Sequence, residues 1–388
     1  MKIIHAIDSL DPALGGPPMC VAGLAAAQAG LGHEVLIYCH DALIRRDEVR
    51  AAMSRIPGIE RVSIVYCPVG GTFNKLTGML DARYFEKILG GTDVIHIHGI
   101  WRPILKAVCK RSMYAGVGYV VTLHGMLHPW ALQQKKWRKK FAMWAGWKKA
   151  LEGAAFLHVL NKDEASYIQC IGLDTHIEVI PNGVFLTQFE NLPAKDEFGN
   201  SYPELKYRSY ILFIGRLHYV KGLDVLVEAF RLFIESNMGV NLVVVGPDGG
   251  ERGSLEQLLK ALGLADRVHL IGPLYGRDKF AALAGASCYC QPSRQEGFSI
   301  AITEAMACGL PVVITKNCNF PEVEQADAGE VVDLDAKKIG KALQRIFEDA
   351  QRRKIIGNNA KNLVISRFTW PCIAGQMIEA YRYAPKHV

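Results

Sequence analysis

Short apolar runs alternate with amphipathic stretches along most of the chain. In the first half the runs predict strands at Lys2–Ile7, Val35–Cys39, Ser63–Cys67, Val94–His98, Tyr119–Leu123, Phe156–Leu160 and Glu178–Ile180. Helical stretches lie between most of these runs. Strands that alternate with helices predict an open parallel sheet with helices on both faces.

The alternation stops near Ile180–Val184, and a polar, proline-containing stretch follows to about Lys206. We interpret that stretch as an interdomain crossing. A second alternation then predicts strands at Tyr210–Ile214, Asn241–Val245, Val268–Ile271, Cys288–Gln291, Val312–Ile314 and Glu330–Val332. Helices are predicted at about Leu223–Ser236, Ser254–Leu262, Lys279–Ala284, Ser299–Cys308 and Ala336–Phe347.

The pattern therefore predicts an α/β protein of two doubly wound, Rossmann-like domains that face each other across a cleft. The first domain spans residues 1–185 and the second spans 206–368. Ligands of such sheets bind beyond the carboxyl ends of the strands. In the first domain, Asp11–Pro18 is a predicted loop that carries Gly16, and the next helix is predicted from Met19.

Composition adds little that is specific. The chain has 388 residues, 50% of them hydrophobic, and a net charge of +7 that suits anionic ligands or an anionic membrane face. No nucleic-acid-binding signature is present. The ten cysteines form no Cys-x-x-Cys pair, which favours reduced, buried thiols. No signal peptide or membrane span is recognisable, so we expect a cytoplasmic protein.

The strongest candidate site lies between Pro292 and Pro311. A strand ends at Gln291, a loop carries Glu296 and Gly297, and a helix with Glu304 follows. The free N–H groups of that helix start favour an anion, and the two carboxylates would suit a phosphate flanked by hydroxylated rings. The alternative is an ordinary helix start with acidic residues on its surface.

A cationic segment follows the first strand of the second domain. Gly215 and Arg216 come directly after that strand, and Lys221 lies five residues beyond the arginine. Arginine offers a planar fork to phosphate oxygens and lysine offers a point charge. The alternative is a solvated basic loop. Neither a P-loop nor a Gly-x-Gly-x-x-Gly fingerprint is present.

These segments together resemble a known family. The motifs are Glu296-x7-Glu304, Phe213–Leu217 with Lys221–Gly222, Val245–Gly249 and Val179–Val184. In this order they resemble the retaining glycosyltransferases of the GT-B fold, family 4 (glycosyl transferases group 1). The resemblance covers nearly the whole chain. At the C-terminus, about 369–388 resembles the helix that crosses back onto the N-terminal domain.

The resemblance implies roles for the matching residues. Arg216 and Lys221 would bind the donor diphosphate, and Glu304 would hold the ribose hydroxyls. Glu296, with the backbone amides of Gly297 and Phe298, would hold the hydroxyls of the donor sugar.

The remaining donor contacts are also implied by the resemblance. The amides of Ser299 and Ile300 would meet phosphate, and Gly215 would lie in the same site. Gly16 would let its loop close against the diphosphate, and the base would meet backbone near Leu274.

His124 matches the strand-end histidine that approaches the transferred sugar. His96 and His98 also lie near a strand end, but no third metal ligand is evident and we expect no metal site. Retention is implied only by the resemblance, through front-side attack without a protein base. Asp333 and Asp335 form an Asp-x-Asp, in which we expect Asp335 to be a helix N-cap.

The implied function is transfer of a hexose from a UDP- or GDP-sugar, as substrate rather than cofactor, to a saccharide or lipid-linked saccharide. Such a reaction belongs to cell-surface polysaccharide or lipopolysaccharide biosynthesis. The alternatives are a nucleotide-sugar epimerase of the same fold and a non-catalytic nucleotide-sugar-binding protein. The acceptor-side domain would be the N-terminal one.

A basic, tryptophan-rich stretch runs from Lys135 to Lys149 and is predicted to be helical. Phe141, Trp144 and Lys148 follow one another at i, i+3 and i+7, so its faces are mixed. It either lies peripherally on the inner face of the membrane or packs its tryptophans into the first domain.

Overall fold

The computed structural model describes residues 1–40, 45–69, 71, 78–237 and 239–383. The chain divides into two compact units. The first contains Met1–Gly183 together with the C-terminal segment from Trp370, and the second contains Val184–Thr369. Of the predicted crossing segment, residues 384–388 lie outside the described part of the chain.

The first unit is built on a parallel sheet whose inner strands are buried, because both faces of these apolar runs are covered by helices. The described strands are β1 Lys2–Ile7, β2 Glu34–His40, β3 Ser63–Cys67, β4 Val94–His98, β5 Tyr119–Thr122, β6 Phe156–Val159 and β7 Ile177–Val179. Their order is β3-β2-β1-β4-β5-β6-β7. In this register Ile4 lies between Leu36 and Ile95.

Helices connect these strands. They are α1 Gly16–Gly30, α2 Arg46–Met53, α3 Met79–Glu86, α4 Pro103–Tyr114, α5 Pro129–Gln133, α6 Lys136–Ala142, α7 Lys148–Glu152 and α8 Lys162–Cys170. A π-helical turn at Met143–Trp147 separates α6 from α7, and Gly146 breaks it with a φ of 116°. The predicted continuous helix over 135–149 is therefore kinked. No described helix is long and apolar enough to cross a membrane.

The glycine-containing loop is shorter than predicted. Helix α1 begins at Gly16 instead of Met19, because proline fits the first turn of a helix, where its missing N–H needs no partner. The left-handed φ of 103° falls on Gly15.

The second unit repeats the architecture. Its strands are β8 Ser209–Ile214, β9 Val240–Val245, β10 Val268–Gly272, β11 Cys288–Gln291, β12 Val312–Thr315 and β13 Gly329–Val332, in the order β10-β9-β8-β11-β12-β13. All the paired strands are parallel.

The helices of the second unit pack on both faces of this sheet. They are α9 Glu197–Ser201, α10 Leu223–Ile234, α11 Arg252–Ala261, α12 Gly276–Gly285, α13 Ile300–Ala307, α14 Glu322–Gln325, α15 Ala336–Glu348 and α16 Ala350–Arg367. Helix α17, Trp370–Arg382, belongs to the first unit and packs on α1, where a Cβ on Gly23 would lie 2.6 Å from the Trp370 ring.

The stretch interpreted as an interdomain crossing is packed into the second unit. Phe189, Phe198 and Leu205 are buried there against Tyr210 of β8. Its polar surface residues concealed these three apolar anchors in the sequence pattern.

Histidines are concentrated in the interior of the first unit. Burial lowers the pKa of His5 to about 4, of His158 to about 4 and of His124 to about 3, and lowers those of His96 and His98 well below the usual value. A buried neutral imidazole that would be protonated in the unfolded chain makes stability depend on pH.

We expect stability to fall as pH falls below about 6.5, since the unfolded chain then binds protons that the folded first unit excludes. The loss approaches about 1.4 kcal/mol per histidine per pH unit. His40 acts in the opposite sense: burial lowers its pKa, but hydrogen bonds to Asp8 and Asp81 outweigh this and raise it to about 9.

Urea unfolding between pH 7.5 and pH 5.5 measures the balance. The expected result is a clearly lower free energy of unfolding at pH 5.5, because the histidines with a lowered pKa outnumber His40. An unchanged or higher value at pH 5.5 would show that the imidazoles titrate normally in the folded state.

Candidate functional site

The carboxylate of Glu296 is the focus of one edge of the second sheet. Its Oε1 accepts hydrogen bonds from Gln291 Nε2 at 2.8 Å and from Ser293 Oγ at 2.8 Å. The Lys221 ammonium donates to the same oxygen. The side chain of Glu296 is mostly buried. Three donors on one oxygen fix its position, because a buried charge must be paired and hydrogen-bonded.

Gln291 connects this carboxylate to the start of a helix. Its amide oxygen accepts from Tyr289 Oη at 2.6 Å and from Ser299 Oγ at 3.0 Å. Ser299 is the N-cap of α13, and its hydroxyl accepts from Ile302 N at 3.4 Å. The remaining first-turn N–H groups have no intrahelical acceptor, so the helix start favours an anion.

Two loops cross closely beside Lys221. Gly222 has a φ of 67°, and a Cβ at this position would lie 2.1 Å from the carbonyl oxygen of Pro292. Arg294 fastens the crossing: its guanidinium forms a two-pronged ion pair with Asp224 at 2.8 and 2.7 Å and lies 4.1 Å above the Tyr219 ring. This clamp determines where the Lys221 side chain starts.

Arg216 follows Gly215 at the end of β8 and is exposed. The backbone here passes close to the next strand end, since a Cβ on Gly246 would lie 1.8 Å from the carbonyl oxygen of Gly215. Only glycine allows that approach. Arg216 and Lys221 thus lie on the same connection, between β8 and α10.

Glu304 lies on α13 and is paired with a residue that the sequence did not single out. Lys279 Nζ of α12 donates to Glu304 Oε1 at 2.6 Å. Leu274, just before α12, is half-buried against the core of the unit. Lys279 thus links α12, which begins two residues after Leu274, to Glu304 on α13.

The side chain of Phe298 is packed into the second unit. Its ring packs on Phe320 and Phe368, with centroids 5.2 and 5.9 Å away. The backbone carbonyl oxygen of Glu296 accepts a hydrogen bond from Asn319 Nδ2 at 2.9 Å, which holds the loop that also contains Gly297. Ile300 opens the helix itself.

Asp335 is the N-cap of α15, as predicted: its carboxylate accepts from Lys338 N at 2.9 Å. Asp333 is bonded to the side chains of Lys316 and Lys338, and these hydrogen bonds lower its pKa to about 2. This Asp-x-Asp is satisfied by lysines and a helix start.

In the first unit, His124 lies at the loop after β5 with a left-handed φ of 49°. Its neighbour Gly125 donates its N–H to Glu164 Oε1 at 2.7 Å, and Glu164 Oε2 accepts from Leu160 N at 3.0 Å. Burial raises the pKa of Glu164, and these two backbone bonds act against that rise. Non-glycine residues in this conformation are held by their surroundings and concentrate at functional sites. Gly16, at the first position of α1, belongs to the same unit.

The structure adds a third imidazole to the His96 and His98 pair. His5 joins them, so ligand atoms of the three lie within 4.8 Å of one another. However, His5 Nδ1 and His98 Nε2 are hydrogen-bonded at 2.9 Å, and the rings of His96 and His98 stack at 4.1 Å. Hydrogen bonding between neutral rings accounts for this geometry without an ion.

Several residues of the sheet edge were missed in the sequence. Gln291, Ser293 and Arg294 surround Glu296 and Lys221, and Lys279 pairs with Glu304. The first three lie inside the motif that was identified, so their proximity to Glu296 was a usable signal. No such signal pointed to Lys279, because α12 is distant from α13 in sequence.

Comparison with protein families gives matches in both units. Residues 15–183 match the family model described as glycosyl transferase 4-like domain. Residues 195–363 match the model described as glycosyl transferases group 1.

Individual relatives agree with these matches. A phosphatidyl-myo-inositol mannosyltransferase of Mycolicibacterium smegmatis is 27% identical over 375 residues, which cover 95% of this chain and 90% of that protein. An uncharacterized glycosyltransferase of Methanocaldococcus jannaschii is 30% identical over 213 residues, 54% of each chain. The chain spans about half the length of the first curated relatives that it matches.

Among solved structures, Anabaena HepE in complex with UDP and glucose superposes with a TM-score of 0.77. The superposition covers 98% of this chain and 99% of that chain at 22% sequence identity. At this identity the likeness concerns the fold, which is GT-B.

The close crossing at Gly222 generates a prediction. Replacing Gly222 with alanine should lower the free energy of unfolding by about 2 kcal/mol or more, because the new Cβ meets the Pro292 carbonyl and the residue needs a positive φ. Urea unfolding measures the change.

Gly253 is the matched control, since it lies in α11 and a Cβ there would have no atom within 4 Å. Gly253→Ala should leave stability unchanged or raise it by up to about 1 kcal/mol. Equal effects of the two substitutions would refute the close crossing.

Proposed function

Because the chain belongs to the glycosyl transferases group 1 family, we propose that it transfers a hexose from a nucleotide-sugar to a saccharide or lipid-linked saccharide, with retention of configuration. The observation that carries the proposal is the sheet edge of the second unit. There, Lys221 and Glu296 form an ion pair beside the capped start of α13, and Glu304 lies on the same helix.

This edge fits a nucleoside diphosphate bonded to a sugar. Arg216 and Lys221 supply positive charge for the diphosphate, and the first turn of α13 supplies backbone donors. Glu304 accepts from ribose hydroxyls and Glu296 accepts from sugar hydroxyls. A UDP-sugar or a GDP-sugar carries all of these groups, and the UDP and glucose in the HepE complex favour a UDP-sugar.

Glu296 is better suited to holding the sugar than to attacking it. One of its oxygens already accepts three hydrogen bonds, which lowers its nucleophilicity. In the proposed step the bond between the anomeric carbon and the phosphate oxygen breaks while the acceptor hydroxyl oxygen bonds to that carbon. The hydroxyl proton passes to the departing phosphate, whose growing charge Arg216 and Lys221 stabilise.

The acceptor class comes from the relatives. They include phosphatidyl-myo-inositol mannosyltransferases and an O-antigen chain mannosyltransferase of Escherichia coli. We propose a comparable acceptor here, a lipid-linked or polymeric saccharide of cell-surface polysaccharide or lipopolysaccharide biosynthesis.

Incubation with UDP- and GDP-sugars, an acceptor extract and EDTA tests the proposal. The expected products are free nucleoside diphosphate and a new glycoside with the donor's anomeric configuration, without any divalent metal. A nucleotide-sugar epimerase would instead alter the sugar without needing the acceptor extract. A non-catalytic binding protein would yield no product, and either outcome would refute the proposal.

Kinetics of single variants test the roles. Arg216→Ala and Lys221→Ala should lower kcat by about a hundredfold, because leaving-group charge grows toward the transition state. Glu304→Ala should mainly raise KM for the donor, because a ribose contact is similar in both states. Glu296→Ala should change both constants.

Lys260→Ala is the matched control, since Lys260 is exposed in the last turn of α11. It should retain wild-type kinetics. Near-normal kcat in both Arg216→Ala and Lys221→Ala would place the diphosphate elsewhere.

We propose in addition that the first unit contacts an anionic membrane surface, through the basic aromatic segment at residues 135–149. The segment contains seven basic residues and no acidic residue. Trp137, Phe141 and Trp144 are 79%, 66% and 82% exposed, at i, i+4 and i+7. These three rings form an exposed aromatic row that lies among exposed basic residues of the same segment.

The inner side of the same segment is fixed to the unit. Trp147 is 4% exposed and packs edge-on against Trp101 at 6.2 Å. Lys106 Nζ donates to the carbonyl oxygen of Ala145 at 2.5 Å. Core packing is thus provided by one tryptophan, and it does not account for the exposed row, which suits the boundary of a bilayer.

Sedimentation with liposomes tests this contact. Wild-type protein should bind phosphatidylglycerol vesicles at low salt and release at high salt, and bind phosphatidylcholine vesicles far less. Replacing Trp137, Phe141 and Trp144 together with serine should abolish binding, whereas Tyr207→Ser, at an aromatic residue 89% exposed on the second unit, should not. Equal binding by both variants would refute the role of the row.

A further inference from the structure

Four buried histidines of the first unit and His124 belong to one continuous chain of hydrogen bonds. We infer that this chain holds His124 as the tautomer protonated at Nε2, so that Nδ1 accepts a hydrogen bond from a hydroxyl group of the transferred sugar. The sugar contact rests on the proposed function, whereas the tautomer does not.

The chain begins at a group that can only accept. His158 Nε2 lies 2.7 Å from the carbonyl oxygen of Ile180, so this nitrogen carries the proton. Burial lowers the pKa of His158, which keeps the ring neutral. Its Nδ1 therefore has a lone pair, and it accepts from the Thr122 hydroxyl at 2.7 Å.

In the middle of the sheet, each group again accepts a hydrogen bond from the next group of the series. With its proton committed to His158, Thr122 Oγ1 accepts from His96 Nε2 at 2.5 Å. His96 is buried and neutral, so its Nδ1 accepts from the Tyr381 hydroxyl at 2.5 Å.

Gln28 connects Tyr381 to His5 of strand β1 and extends the series of hydrogen bonds. Tyr381 has donated its only proton, so its oxygen accepts from Gln28 Nε2 at 3.4 Å. That contact orients the carboxamide, whose Oε1 faces His5 Nε2 at 2.7 Å. The amide oxygen can only accept, so His5 carries its proton on Nε2.

The last two bonds reach His124. His5 Nδ1 accepts from His98 Nε2 at 2.9 Å, which leaves His98 Nδ1 as a lone pair. His124 Nε2 lies 3.4 Å from that lone pair and donates to it. A neutral His124 then bears no proton on Nδ1.

The position of the proton on His124 affects which ligand groups this ring can bind. A lone pair on Nδ1 favours a donor such as a sugar hydroxyl and disfavours an acceptor such as fluorine or a carbonyl oxygen. His98, His5 and Gln28 are positioning residues, because they act on the ligand only through His124. Their effect is to present an acceptor without a change in charge.

Histidine 15N NMR at pH 7.5 measures the tautomer directly. Comparison with His124→Gln identifies the ring, and glutamine is a mild substitution at this partly buried position. The expected pattern is a protonated Nε2 and an unprotonated Nδ1. The opposite tautomer, or an imidazolium, overturns the inference, whether or not transfer activity has been found.

Substitutions at two buried positions, Gln28 and Thr122, test the relay. Gln28→Leu removes the acceptor that fixes His5, and His124 should then show both tautomers. Thr122→Val interrupts the same series at an earlier bond, between His158 and His96, and should shift His124 in the same direction by no more than Gln28→Leu does, because Gln28 Oε1 still faces His5. If the His124 pattern is the same in Gln28→Leu as in wild-type protein, with both variants shown to be folded by circular dichroism, the relay does not set it.

Donor sugars with a single hydroxyl replaced by fluorine test the contact. At one ring position, wild-type enzyme should lose roughly ten- to a hundredfold in kcat/KM, and His124→Leu should lose that discrimination. If the tautomer is confirmed but wild-type enzyme discriminates at no position, or if His124→Leu discriminates as wild type does, the sugar contact is wrong and the tautomer assignment stands.

Discussion

One mostly buried carboxylate organises the candidate donor site. One oxygen of Glu296 accepts hydrogen bonds from a strand end, a loop and the Lys221 side chain. Gln291 then carries the constraint to Ser299, the cap of α13. Moving Glu296 would therefore displace the lysine and the helix start together.

The buried histidines of the first unit are also satisfied by hydrogen bonds, but they are neutral instead of charged. Its buried polar atoms form a directed series of bonds from the carbonyl of Ile180 toward His124. Each ring is satisfied by its neighbours, which is the condition for burying polar groups in a core. The two units thus prepare different surfaces, one that attracts an anion and one that offers a neutral acceptor.

The sequence predicted the strands well because parallel, doubly covered strands are continuous apolar runs. Val94–His98 and Cys288–Gln291 are buried along their whole length and have the bounds that were predicted. The prediction from the sequence was wrong in two places. Helix α1 begins at Gly16, because the prolines that follow fit its first turn. The polar stretch before β8 packs into the second unit through Phe189 and Phe198.

The candidate site was predicted in part for a similar reason. Glu296 and Glu304 share one segment, so their spacing is visible in the sequence. The Lys279–Glu304 pair and the histidine relay join residues far apart in the chain, and only the folded sheet brings them together. A single sequence carries no pattern for such contacts.

Calorimetric titration with UDP and with GDP, in the presence of EDTA, measures whether the edge of the second sheet binds a nucleotide. One of the two should bind with one-to-one stoichiometry, and Glu304→Gln should weaken that binding roughly ten- to a hundredfold through the lost ribose contact. No binding of either nucleotide, or equal binding by Glu304→Gln, would contradict a donor site at this edge of the second sheet.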